Sequence, residues 1–181
     1  MKHVALFASS CDSLPRRFGE AAFASGEALA RAGYAIVYGG GNNGLMGEIA
    51  RGARAAGGRL VGVIPRGLRE AGFCYDEADE IIVTENLAER KRIMNDRAEA
   101  FVCLPGGIGT LDEFFTALAE KQLGFHDKPI LLLNIISFYE PVSGLIVKLK
   151  ESGFVAEKDP GLFDIVGSVE EIPGLLKSRL G

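Results

Sequence analysis

Cysteine is scarce in this 181-residue chain, and the three present are scattered. Cys11, Cys74 and Cys103 are odd in number and form no C-x-x-C, and the two histidines, His3 and His126, lie far apart. That argues against a disulfide framework or a structural zinc site, so no metal is expected and the cytoplasm is the expected compartment. No G-x-x-x-x-G-K-[ST] occurs, which excludes a P-loop enzyme. A nucleophile elbow and a metal-binding helix are missing as well. No apolar run is long enough to cross a bilayer, and Met1-Lys2-His3-Val4 enters a strand directly, so neither a membrane span nor a signal peptide is expected. Positive charge is also short: a net charge of −4 argues against a nucleic-acid partner but leaves room for a local basic site for a small anion.

What is present reads as an ordinary globular chain, 48% apolar and 24% charged, with neither a linker nor a repeat. One domain over residues 1–181 is expected. Short apolar runs at 3–8, 34–38, 59–64, 80–83, 100–104, 128–134 and 165–166 read as strands. Helices fall between them. Ser13 reads as the cap of the first, with Pro15 in its opening turn and Gly33 as its stop. Residues 66–78 read as irregular with one helical turn, Asn86 as the cap of a charged helix, and Pro160 and Gly161 as a loop. Ser137-x-x-Glu140 and Ser168-x-x-Glu171 look like capping boxes. About seven strands alternate with helices, mostly as continuous apolar runs. The expected fold is α/β: a Rossmann-like, doubly wound parallel sheet with helices on both faces.

The central stretch is Leu104-Pro105-Gly106-Gly107-Ile108-Gly109-Thr110-Leu111-Asp112-Glu113. An apolar strand precedes it and a helix follows. Glycines uncover backbone N–H groups, and a helix start adds unpaired donors and a positive dipole end, so this turn is the geometry of a phosphate site. Glu113 has two readings. Thr110-x-x-Glu113 is itself a capping box, which makes Glu113 structural, whereas beside a phosphate turn it is a catalytic carboxylate. A second glycine turn, Gly39-x-Gly41-x-x-Gly44, matches the dinucleotide expression only loosely. It follows the second strand, and Ile64-Pro65 stands where a ribose-binding acid belongs. Both turns and the Ser9-Ser10 loop should meet at the carboxyl edge of the sheet. Glu89-Arg90-Lys91 reads either as a solvated charged face or as two cations for a phosphate. Lys91 is also a weak candidate for a pyridoxal Schiff base.

Taken together, these motifs resemble the LOG family, the cytokinin riboside 5′-monophosphate phosphoribohydrolases often labelled lysine decarboxylases. The resemblance rests on Pro105-Gly106-Gly107-x-Gly109-Thr110-x-x-Glu113, on Gly39-Gly40-Gly41-Asn42-x-Gly44-Leu45-Met46-Gly47, on Glu89-Arg90-Lys91 and on Gln122-Leu123-Gly124-x-His126-x-Lys128-Pro129. It implies hydrolysis of the N-glycosidic bond of an N6-modified adenosine 5′-monophosphate, with Arg90 and Glu113 as the catalytic pair. Lys91, Gly106, Gly107, Ile108, Gly109, Thr110, Asp112, Gly41, Asn42 and Ser9 would bind the substrate, and no cofactor is implied. A homodimer or larger homo-oligomer is expected from the resemblance, with the apolar Ile93, Met94, Phe114, Phe115 and Leu118 as its only support in the residues. Four positions depart from the family pattern: Leu87-Ala88 replaces Met-His, Ile108 replaces Tyr, and Asp112 replaces Glu. A non-catalytic carrier of nucleotide or molybdenum cofactor on the same fold is the alternative.

Overall fold

The computed structural model describes residues 1–156 and 161–181. Pro160 therefore lies outside the described residues. Strands β1 (His3–Phe7), β2 (Ala35–Tyr38), β3 (Leu60–Pro65), β4 (Glu80–Thr84), β5 (Ala100–Cys103), β6 (Ile130–Leu133) and β7 (Asp164–Val166) form one sheet, ordered β4-β3-β2-β1-β5-β6-β7. Every pairing is parallel. The order reverses direction between β1 and β5, which makes the crevice there the topological switch point.

Helices α1 (Arg16–Arg31), α2 (Gly44–Ala55) and α7 (Glu171–Leu180) pack on one face, and α4 (Leu87–Arg97), α5 (Ile108–Gln122) and α6 (Glu140–Glu151) on the other. Helix α3 (Arg66–Glu70) is a single short turn after β3. Successive strand residues point to opposite faces, so β1 sends Val4 and Leu6 to one apolar cluster and Ala5 and Phe7 to the other. This double burial is why the strands read as unbroken apolar runs.

Several local expectations shift. The first helix opens at Arg16 after Pro15, with no side-chain cap from Ser13. Gly33 stops it as expected, at φ +82°. Asn86 caps α4: its Oδ1 accepts from the Glu89 N–H at 2.9 Å, while Glu89 accepts from the Glu85 N–H at 2.8 Å. The Ser137 box does not form. Ile136 and Ser137 adopt positive φ, and Asn134 takes over, accepting from the Tyr139 N–H at 2.7 Å and bonding Glu140 at 3.1 Å. Nor does Ser168 cap α7, which opens after Glu170 without a side-chain cap.

The supposed dimer residues find their partners inside the chain. Met94, Phe114 and Leu118 are buried in the core beneath α4 and α5, with Ile93 and Phe115 packed against it. They therefore carry no argument for a second copy. Among the described residues no helix is long and apolar enough to cross a membrane.

Candidate active site

Strand β5 ends at Cys103, and the 104–107 turn delivers the chain to α5, whose first residue is Ile108. Two contacts shape that turn. The buried Tyr139 hydroxyl donates to the Leu104 carbonyl at 2.5 Å, fixing the strand end. A Cβ on Gly106 would lie 2.2 Å from Thr110 Oγ1, so the turn closes this tightly only with glycine there. Gly107 is the N-cap of α5 and supplies no side-chain cap. Among the described residues nothing accepts from the N–H groups of Ile108, Gly109 or Thr110. The start of α5 is thus an open set of donors at the positive end of a 15-residue helix.

This start removes the capping reading of Glu113. Thr110 sits three residues inside the helix, not at its cap, so the capping box cannot form. Glu113 faces inward, with only 7% of its side chain exposed, and its Oε1 accepts from Arg90 Nη1 at 2.6 Å. Arg90, 12% exposed, is anchored a second time where its Nε donates to the Val63 carbonyl at 3.0 Å. Gly39 makes room for it: a Cβ there would stand 1.8 Å from Arg90 Nη2. Burial pushes the Glu113 carboxyl above its ordinary range, opposed by the charge and hydrogen bond of Arg90.

A cavity of about 380 Å³ opens over this pair. Ser9, Ser10, Gly41 and Asn43 come to it from the loops after β1 and β2, and Gly107, Gly109 and Thr110 from the start of α5. Met46, Ile64, Leu68 and Phe73 form an apolar wall. Both glycine turns and the Ser9-Ser10 loop meet here, as the parallel sheet requires. A larger recess of about 580 Å³ lies between α1 and α2 and holds neither Arg90 nor Glu113.

The sequence candidates divide accordingly. Ser9, Gly41, Arg90, Gly107, Gly109, Thr110 and Glu113 line the cavity. Gly106 instead faces a neighbouring apolar recess, and the Ile108 side chain is 84% exposed. Asn42 does not line the cavity; its backbone N–H donates to the Phe73 carbonyl at 2.9 Å, its side chain is exposed, and the neighbouring Asn43 lines the cavity instead. Lys91 donates to both Asp112 oxygens at 2.8 Å and to Thr116 Oγ1 at 3.2 Å, so these two residues brace α4 against α5 outside the cavity. A lysine held this way is not poised as a Schiff-base nucleophile. The glycine turn at 39–44 was expected at this edge, but the room Gly39 makes for Arg90, the place of Asn43 and the apolar wall were not read from the sequence.

A family model described as "Possible lysine decarboxylase" matches residues 46–176. A cytokinin riboside 5′-monophosphate phosphoribohydrolase of Mycobacterium tuberculosis is 41% identical over 146 residues, covering 81% of this chain and 78% of its own. The chain belongs to the LOG family. Another relative, from Arabidopsis thaliana and carrying the same enzyme name, is 33% identical and covers 94% of this LOG chain and 75% of its own. Like its relatives this chain is an enzyme. Among solved structures, the molybdenum cofactor carrier protein of Chlamydomonas reinhardtii superposes with a TM-score of 0.78 at 24% identity, covering 99% of this chain and 98% of its own. At that identity the likeness speaks for the shared fold alone.

Proposed function

We propose that this LOG-family chain hydrolyses the N-glycosidic bond of adenosine 5′-monophosphates, with N6-substituted forms as the preferred class. One observation carries the proposal: the buried Arg90–Glu113 pair opens into the same cavity as the free N–H groups of α5. The phosphate docks on the backbone of 107–110, where helix donors and dipole favour an anion. The ribose then lies toward Glu113. As the base leaves with the bonding electrons, C1′ acquires oxocarbenium character, as in glycoside hydrolysis. The Glu113 carboxylate stabilises that charge and takes a proton from the attacking water. The departing purine takes up a proton from solvent, and the products are free base and ribose 5-phosphate. Arg90 holds Glu113 in place and turns a cationic edge to the bound anion.

Relatives named for action on cytokinin riboside 5′-monophosphates support this substrate class, and the apolar wall suits a substituted purine. Incubation with paired nucleosides and 5′-monophosphates, with and without an N6-isoprenoid group, tests it. Release of base and ribose 5-phosphate from monophosphates, with nucleosides turned over poorly, is expected. Equal turnover of the two removes the phosphate role, and tight binding without base release favours a carrier. A homodimer belongs to the same proposal, and a monomer by sedimentation at micromolar concentration argues against it.

A further inference from the structure

A second ion pair joins α4 to α5 beside the first. The residue after Arg90 meets the residue before Glu113: Lys91 Nζ donates to both Asp112 carboxylate oxygens at 2.8 Å. It also donates to Thr116 Oγ1 at 3.2 Å, and Thr116 in turn donates to the Asp112 carbonyl at 2.7 Å. One turn on, Asn95 Nδ2 donates to Glu120 Oε2 at 2.9 Å. These ties advance along both helices together. Arg90 and Glu113 stand on the cavity side of the seam. Lys91 and Asp112 stand on the solvent side, with 20% and 53% of their side chains exposed.

The two catalytic side chains are held unequally. Arg90 has a second anchor on β3, the Val63 carbonyl. The Glu113 carboxylate has Arg90 as its one hydrogen-bond partner among the described residues, so its place depends on how α5 sits against α4. We propose that Lys91 and Asp112 are positioning residues for the hydrolytic site: their pair fixes the roll of α5 on α4 and so sets Glu113 against Arg90, without touching the ligand. Neighbouring helix residues stand about 100° apart around the axis, so the two pairs clamp the seam from both sides. A roll of about 10° at a radius of about 6 Å moves a side chain by about 1 Å, the scale of misplacement that costs about 100-fold in rate. A half-exposed pair contributes little to stability, so its loss should leave the chain folded. The inference deepens the hydrolase reading and rests on it for the roles of Arg90 and Glu113.

The pair also bears on the Glu113 charge. Burial raises the Glu113 pKa and Arg90 lowers it; Asp112 adds to the rise and Lys91 to the fall. The other titratable groups facing it, Cys103 from β5 and Tyr139 ahead of α6, are kept neutral by burial.

The test measures kcat, KM and the pH profile on AMP and its N6-isoprenoid form for Lys91→Met, Asp112→Asn and the double variant, with Tm alongside. Each single variant should lower kcat about tenfold and leave KM within about threefold. The double should fall no further, as for two halves of one contact. Lys91→Arg keeps the charge and the reach to a carboxylate, and should hold kcat within about threefold of the parent. The acid limb should move to higher pH in Lys91→Met and to lower pH in Asp112→Asn, opposite signs that a general loosening does not produce. Parental kcat in Asp112→Asn overturns the inference. So does a Lys91→Met chain whose KM rises about tenfold at unchanged kcat, the mark of a lysine on the phosphate. If the parent releases base from no monophosphate, the hydrolase reading fails instead. The positions are then read from the 15N signals of the Arg90 guanidinium, whose rotation should be slowed in the parent and freed in both single variants; unchanged rotation in those variants overturns the tie.

Discussion

Gly39→Ala should uncouple catalysis from folding. No positive φ restricts Gly39, so alanine suits the backbone, but its Cβ would stand 1.8 Å from Arg90 Nη2 and 3.0 Å from its Cζ. Ordinary contact begins near 3.4 Å, so the guanidinium must retreat by roughly 1.6 Å (3.4 less 1.8). It cannot do so while Nε keeps the Val63 carbonyl at 3.0 Å and Nη1 keeps Glu113 at 2.6 Å. A misplacement of about 1 Å at a catalytic group costs about 100-fold in rate, near 2.7 kcal/mol of transition-state stabilisation. The atoms in the way are the far ends of flexible side chains, Arg90 and Met46, so the fold itself should yield cheaply. Breaking the buried pair outright would cost about 3–5 kcal/mol, and proton uptake by Glu113 lowers that figure. The assay is kcat/KM on the best 5′-monophosphate, with Tm and the pH profile measured alongside. A fall of about 100-fold, with the acid limb moved to higher pH, is expected. Activity within about threefold of the parent and an unmoved acid limb would refute the placement of Arg90 against Gly39.

Glu113→Gln should lower kcat on the order of 100-fold or more while the chain still folds, because Gln keeps an acceptor for Arg90 but cannot take a proton; near-parental kcat falsifies the catalytic assignment. The raised Glu113 pKa also sets a sign for stability. The folded state holds this proton more tightly than the unfolded chain, so its contribution is complete below the ordinary value of 4.5 and is lost as pH rises through the folded value. Urea titrations from acid to neutral pH should show that decline in the parent and lose its Glu113 share in Glu113→Gln. Tyr139→Phe strips the Leu104 carbonyl of its buried donor and should cost about 1–3 kcal/mol by urea unfolding. It should also raise KM for the monophosphate as the phosphate turn loosens, and an unchanged KM would show that the turn holds without the hydroxyl.

The sheet, its parallel sense and its two covered faces were legible in the chain because they depend on local information. Continuous apolar runs such as 100–104 and helical stretches between them admit few arrangements. The two glycine turns and the Pro105-to-Glu113 signature were legible for the same reason, each being a run of neighbours. The parallel sense alone then brings the turns to one edge.

The partners of the charged side chains were not legible. Thr110 and Glu113 have the spacing of a capping box, and only the actual start of α5, two residues earlier than Thr110, turns Glu113 away from the cap and toward Arg90. The Asp12 carboxylate accepts from the Gly44 N–H 32 residues away, and the Ser9 carbonyl from the Leu45 N–H, only because β1 and β2 pair side by side. The Ser137 and Ser168 boxes failed the same way, through helix starts that packing displaced by a few residues. A sequence pattern encodes hydrogen bonds within about one helical turn. Which loop lies beside which helix start is settled by the strand order, and here that order leaves the α5 donors open while Asp12 closes those of α2.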